Sequence, residues 1–297
     1  MSTIAPLQQN TQPNAAQQPL PQHQDSKPGH ETALTPQPLY DDPKYCAAGK
    51  LKGMVALVSG GDSGIGRAIC LLYAKEGADI AIIYLNEHED AEKTKALVEM
   101  QGQRCLLLPG DISSQVFCQS AVEKTTETFG SLNILVNNAG EHWEEEHLEA
   151  LDMTRMEETF RTNVFSAFYL TQAALPYLHS GDAIINTVSV TAYQGSGHLL
   201  DYSATKGALV TFTRSLSQQL AAQGIRVNGV APGPIWTPLI PATFSPEDVA
   251  SFGKNTPMKR PGQPSEVAPC FVFLASKDAS YITGQILHPN GGRIVNG

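Results

Sequence analysis

From Met54 onward, apolar residues arrive in short, nearly unbroken runs set apart by longer stretches of mixed polarity. The runs are MVALVSG (54–60), DIAIIYL (79–85), RCLLLPGD (104–111), LNILVNNAG (132–140), DAIINTVS (182–189) and IRVNGVAPG (225–233). Strands this continuously apolar suit a parallel sheet buried on both faces; a strand with one wet face would alternate instead. The stretches between them read as helices, so each run and its successor form a βα unit. A last short strand in GQILHPNGG (284–292) follows the helical PSEVAPCFVFLAS (264–276). The pattern predicts one doubly wound, Rossmann-type α/β domain over 53–297, with a mostly parallel seven-stranded sheet covered by helices on both faces.

Residues 1–40 are a different material. They hold eight Gln and seven Pro and few large apolar residues, too little to bury against the entropy of ordering. A disordered or loosely draped tail is expected there. LYDDPKYCAAGKLKG then reads as a connecting arm over 41–52, with Tyr40 and Tyr45 able to anchor it on the domain.

Composition narrows the function. The net charge is -9 and no basic stripe carries interleaved aromatics, which argues against a nucleic-acid partner. No apolar run approaches the ~20 residues needed to span a bilayer, so no membrane partner is expected. No charged n-region followed by an apolar h-region opens the chain. The five cysteines include no C-x-x-C pair, which suits free thiols in a reducing compartment, and a cytoplasmic protein is expected. His142 and His147 lie among Glu144, Glu145 and Glu146 at spacings that match no common metal motif. That stretch is expected to be a solvated acidic loop, with no metal.

Two segments carry chemistry. SGGDSGIGRA (59–68) follows the first strand and opens a helix. Gly60, Gly64 and Gly66 make the turn tight and let backbone N–H groups approach a pyrophosphate at the helix N-terminus. In DYSATKGA (201–208), Tyr202 and Lys206 are four apart and share one helix face. An ammonium beside a phenol lowers its pKa toward the range where it can both give and take a proton.

These segments and four others resemble the short-chain dehydrogenase/reductase family, from about Lys50 to the C-terminus. The glycine motif begins at Ser59, where the family has Thr. Asn137-Asn138-Ala139-Gly140 matches its N-N-A-G, Asn163 its helix Asn, and Ser189 its catalytic Ser. Tyr202 and Lys206 match its Y-x-x-x-K, and Pro232-Gly233 through Thr237 its P-G-x-x-x-T. The arm, the GGDSGIG turn and the segment from Ala231 to Pro269 look most like a glucose/ribitol-dehydrogenase-like and aldehyde-reductase-like branch.

The resemblance implies reversible hydride transfer between a nicotinamide and a small carbonyl or alcohol substrate, an aldehyde, ketone or polyol. Tyr202 would be the general acid/base. Lys206 would tune it and hold ribose hydroxyls, Ser189 would bond the substrate oxygen, and Asn163 would hold a relay water. Cofactor contacts are expected from Ser59, Gly60, Asp62, Ser63, Gly64, Ile65, Gly66, Tyr84, Asp111, Ile112, Asn138, Ala139, Gly140, Tyr202, Lys206, Pro232, Gly233, Ile235 and Thr237. Asp111 would bond the adenine amine and Ile112 pack beside the ring, while Ile235 and Thr237 would meet the carboxamide.

The choice between NAD and NADP is left open by the residues. No acid stands at the end of the second strand, at Tyr84-Leu85-Asn86, and no cation for a 2′-phosphate. Asp62 would repel that phosphate, a slight lean to NAD. Trp143, Tyr193, His198 and Trp236 are the side chains expected near the substrate. The helices over 152–179 and 202–223 carry more apolar and small residues than one stripe needs, and by resemblance would pair with copies in a homodimer or homotetramer. The competing reading is a catalytically silent NAD(P)-binding regulator or scaffold, and turnover separates the two.

Overall fold

The computed structural model describes residues 18–295; the earlier part of the expected tail lies outside the described residues. Each apolar run forms a strand, followed by its helix. The chain runs β1 (Val55–Ser59), α1 (Gly64–Lys75), β2 (Asp79–Tyr84), α2 (His88–Glu99), β3 (Cys105–Pro109), α3 (Gln115–Phe129) and β4 (Ile134–Asn137). It continues through α4 (Met153–Phe160), a π-helical turn (Arg161–Phe165), α5 (Ser166–Ala174), β5 (Ala183–Thr187), α6 (Thr191–Gln194) and α7 (Leu200–Leu220). β6 (Arg226–Val230), α8 (Pro246–Ser251), α9 (Pro264–Ala275) and β7 (Ile286–Leu287) complete it.

The seven strands form one sheet in the order β3-β2-β1-β4-β5-β6-β7, and every pair is parallel. The order reverses between β1 and β4, which opens a crevice beyond the carboxyl ends of the strands. Ser59 pairs with Ile83, Asn137 with Asn186 and Thr187 with Val230, so these ends lie level. β1, β4, β5 and β6 are buried at every position because helices cover both faces. One core cluster joins Ala56, Val58 and Ile80 to α1 and α9, and another joins Leu57, Ile83 and Ile184 to α3, α5 and α7.

Over residues 18–40 the expectation of a loose tail fails. This segment is a strap laid across the domain. Gln18 Nε2 donates to the Phe252 carbonyl at 2.8 Å and the Gln24 N–H to the Pro241 carbonyl at 2.9 Å. Leu34 is buried with Trp236, Ile240 and Val249, and the Trp236 indole N–H donates to the Pro36 carbonyl at 2.7 Å. Glu31 is fully buried, paired with Arg67. A few apolar anchors and one buried charge suffice, because most of their partners lie far along the chain and are invisible to local composition. In the arm, Tyr45 bonds Glu76, whose other oxygen accepts from the Ala48 and Lys50 N–H groups.

Candidate active site

The glycine turn is shaped by close approach. A Cβ on Gly66 would lie 1.8 Å from the Gly60 carbonyl oxygen, so only glycine lets α1 start this near the turn. Gly64 has φ 51°, and a Cβ there would lie 3.1 Å from the Thr237 methyl carbon, which shows how tightly the P-G-x-x-x-T segment sits against the turn. Ser59 Oγ accepts from the Asn138 and Ala139 N–H groups at 3.0 and 3.1 Å. Asn138 Nδ2 donates to the Ser59 and Gly60 carbonyls at 3.1 Å each, and its Oδ1 accepts from Thr187 Oγ1 at 3.1 Å. Asn138 is thus a strut joining the ends of β1, β4 and β5.

Across the crevice, Lys206 is buried on α7 and its Nζ donates to the Thr187 carbonyl at 2.8 Å. The ammonium lies 5.5 Å from the Tyr202 ring centroid. Asn163 sits in the π turn, a register shift common at functional sites. Its Oδ1 accepts from the Glu141 N–H at 2.9 Å and its Nδ2 donates to the Glu141 carbonyl at 2.8 Å, fixing the backbone just after Gly140. A side chain on Gly140 would sit 3.2 Å from Asn163 Oδ1 and 3.3 Å from Lys206 Nζ, so glycine keeps this cradle open. Ser189 Oγ accepts from the Thr191 N–H and hydroxyl at 3.2 and 3.0 Å, which orients it at the end of β5.

Burial dominates the electrostatics. It pushes the Tyr202 phenol up to about 12, opposed by the Ser189 hydroxyl, and pulls the Lys206 ammonium down to about 8. The expected lowering of the phenol by Lys206 is not what dominates here: desolvation disfavours the charged forms of both groups.

Other expected contacts separate into two groups. Ile65 and Ser63 flank Gly64 at the start of α1, and the Pro232 carbonyl accepts from the Val190 N–H at 3.1 Å beside Ser189. Gly233 packs on the backbone of Asn290. Tyr84 is buried at the end of β2, its hydroxyl 2.9 Å from His88 Nδ1. Asp111 is exposed and accepts from the Ser113 N–H and hydroxyl, while Ile112 faces the core beside Leu57 and Ala81. Ile235 likewise packs in the core, against Val267.

Asp62 departs from expectation. It is only 5% exposed, and burial raises its carboxyl to about 6, with Glu87 and Asp90 adding to the rise. The carboxylate is enclosed behind the turn, which weakens the argument that it screens the cofactor ribose. Trp236 too is enclosed, under the strap. The acidic loop is not solvated throughout: His142 is buried, its ring edge-on to Tyr202 at 5.0 Å and tilted on Phe244 at 5.5 Å. Burial and the two cations Lys27 and Lys206 hold its imidazole down at about 3, so it is neutral. Local spacing carries no signal for Lys27 or for the burial of His142.

Among the described residues no cluster of His, Cys, Asp and Glu could hold a metal ion, and no helix is long and apolar enough to cross a membrane.

Comparison with known proteins agrees with this geometry. A family model described as Enoyl-(Acyl carrier protein) reductase matches residues 60–293. The chain is 49% identical to a glucose and ribitol dehydrogenase of Daucus carota, over 93% of this chain and 97% of the relative. It is 49% identical to the chloroplastic NADPH-dependent aldehyde reductase 1 of Arabidopsis thaliana, over 93% and 98%. A short chain dehydrogenase from Burkholderia cenocepacia, solved in complex with NADP, superposes with TM-score 0.77 at 34% identity, over 82% of this chain and 98% of that one. The match to the two plant proteins runs into the strap, whereas the share matched to the solved structure is about the length of the domain after residue 53. With the glycine turn, the N-N-A-G strut and the Ser189, Tyr202 and Lys206 side chains on one crevice, the chain belongs to the short-chain dehydrogenase/reductase family.

Proposed function

We propose that this chain is an NAD(P)-dependent oxidoreductase that moves a hydride between a nicotinamide and the carbonyl or alcohol carbon of a small aldehyde, ketone or polyol. The observation that carries the reading is the convergence of Ser189, Tyr202, Lys206 and Asn163 opposite the glycine turn. The turn fits the cofactor because its close approaches admit no side chain where a pyrophosphate would meet α1. When bound, the nicotinamide supplies or accepts the hydride.

The protein's own residues handle one proton and one developing charge. Tyr202 gives its phenolic proton to the substrate oxygen during reduction and takes it back during oxidation. A phenol near 12 is a reluctant acid, and the protonated Lys206 ammonium stabilises the phenolate as the proton leaves. Ser189 donates to the same substrate oxygen. Asn163, pinned to Glu141, holds the backbone around Gly140 and a water through which Lys206 exchanges protons with solvent.

For the cofactor we favour NADP(H). The Arabidopsis thaliana relative is NADPH-dependent and the Burkholderia cenocepacia dehydrogenase was solved with NADP, and the enclosed Asp62 removes the ground for preferring NAD. Tyr84, Asn86 and Ser63 offer hydroxyl, amide and backbone donors to a 2′-phosphate. We also propose that the face carrying Phe165, Phe168 and Phe212 pairs with a second copy: Phe165 and Phe168 are 40% and 49% exposed, and Phe168 stacks on Phe212 at 4.2 Å. Light scattering should show a dimer or tetramer at micromolar concentration; a monomer would refute the pairing.

The function is tested by following NADPH and NADH consumption against a panel of aldehydes and ketones, and the reverse reaction with polyols. Turnover with at least one class, and higher kcat/KM with NADPH, is expected. Tight cofactor binding with no turnover on any of them would mark a silent regulator instead.

A further inference from the structure

The strap brings one cation to the substrate side of the cleft. Lys27 Nζ donates to the His142 carbonyl at 2.6 Å and lies 3.5 Å from the centre of the Trp143 ring. Arg155 approaches the same ring, 4.4 Å from its centre. His142 in turn touches Tyr202 edge-on. A residue near the start of the described chain therefore stands one side chain away from the acid/base.

The surroundings of Lys27 are polar and unfinished. Of the seven buried side-chain polar atoms without a hydrogen-bond partner among the described residues, three belong here: His142 Nδ1, Trp143 Nε1 and Asp201 Oδ2. Asp201 precedes Tyr202 on α7, and the His142 ring of the opposing loop meets Tyr202 edge-on. Such atoms are rare in folded proteins and call for a partner. The set holds both donors and acceptors, and Glu141 and Asp201 act on Lys27 from beyond ion-pair distance. An anionic ligand would meet those two carboxylates, and a bare alkyl chain would leave the three atoms unpaired. Neutral hydroxyl groups, each a donor and an acceptor, satisfy both constraints.

We propose that Lys27 is a specificity-determining residue that, with Trp143 and Asp201, binds hydroxyl groups of a polyhydroxylated aldehyde or alcohol held at Tyr202. The strap is then a wall of the substrate site as well as a cover for Trp236. This rests on the oxidoreductase reading above and narrows its substrate class. A site built to bond hydroxyls discriminates strongly against the analogue that lacks them, because its polar groups are then buried unpaired.

The test compares glyceraldehyde with propanal, which share a carbon skeleton and differ by two hydroxyls. In the full-length protein the ratio of their kcat/KM values should favour glyceraldehyde, and Lys27→Met should lower that ratio at least tenfold. Lys27→Gln, which keeps hydrogen-bonding capacity, should lower it less, and it decides the matter if the Met variant proves unstable. An unchanged ratio in both variants overturns the proposal. Calorimetric titration of ribitol into the protein saturated with NADPH separates it from the parent reading. Binding weakened at least tenfold by Lys27→Met, without turnover of any substrate, would sustain the pocket and sink hydride transfer. No binding of ribitol to the unmodified protein would sink the pocket, whatever the turnover of propanal.

Discussion

On the cofactor side of the cleft, the parts that hold one another are close in the chain or joined through backbone: Gly60 against Gly66, Ser59 and Asn138 bonding main-chain groups at the ends of β1 and β4. On the substrate side, Trp236, Ile240 and Val249 are buried by Leu34, and His142 is bonded by Lys27. There the wall is side chain on side chain, supplied by a strap far away in sequence. The first construction tolerates little change in residue type, because its contacts run through backbone and close approach. The second is permissive in type and fails if the strap is lost. Glu31 is where the two meet, since its carboxylate accepts from the Gly64 N–H at 2.7 Å while pairing with Arg67.

The sharpest way to break that arrangement is at Glu31. Arg67 is fully buried and is shared between Glu31 and Asp90. Removing one partner of a buried pair strands charge and typically costs about 3–5 kcal/mol. Glu31→Ala should therefore lower the melting temperature by roughly 6–20 °C, at about 2–4 °C per kcal/mol for a chain of this size. Cofactor affinity should change with it, because the glycine turn loses the strap contact that positions Gly64. A melting temperature within about 2 °C of the unmodified protein, the equivalent of a kcal/mol or less, would show that the strap does not hold the turn.

Next in size is the chemistry itself. Tyr202→Phe keeps the ring against His142 and removes the proton. On the proposed mechanism kcat should fall by at least ~10²-fold while cofactor affinity barely changes. Turnover near the unmodified level would remove Tyr202 from its role.

How much of this is legible in sequence follows the same division. The strands can be read to within a few residues, because the central runs β1, β4, β5 and β6 are buried on both faces and their apolar continuity records that directly. The turn and the Tyr202–Lys206 pair are equally plain, since their parts lie within a few positions of each other. The strap is not legible: Leu34, Pro36 and Glu31 are too few to mark a Gln/Pro-rich segment as folded, and their partners are Trp236 and Arg67. Asp62 stands out at the right place with the wrong surroundings, because nothing in GGDSGIG reveals Glu87 and Asp90 behind it. His142 is hidden in an acidic stretch whose glutamates do face outward over much of its length.

A smaller effect separates Lys206 from its neighbours by pH. Burial holds the Lys206 ammonium down at about 8. Carbonyl reduction, which on the proposed mechanism uses the charged form, should be level below that pH, and kcat/KM should decline about tenfold per unit above it. Lys206→Arg keeps the charge at every accessible pH and should remove this limb, at whatever rate remains. A profile that stays level to about pH 10, near the ordinary lysine value, would mean that the bound cofactor restores that value in the unmodified enzyme.

The smallest expected effect lies behind the cofactor wall, at Asp62. Its carboxyl is raised from an ordinary 3.8 to about 6 because burial and two neighbouring acids disfavour the charge. An acid with a raised pKa contributes stability that is complete below about pH 4 and lost as pH rises through about 6, since the folded form must then ionise against its surroundings. Two pKa units correspond to at most about 3 kcal/mol, and relaxation of the turn will reduce that. Asp62→Asn keeps the shape and cannot ionise, so its stability relative to the unmodified protein should improve between about pH 4.5 and about pH 7.5 by roughly 1–2 kcal/mol. Denaturant unfolding at the two pH values measures this difference directly. The same substitution should raise kcat/KM for NADPH more than for NADH, and more at low ionic strength, if the Asp62 charge reaches the 2′-phosphate. A stability gain with no change in cofactor preference would confine Asp62 to the interior. Parallel unfolding curves at both pH values would instead show that the carboxylate ionises without penalty, and that the wall behind the glycine turn is open to water.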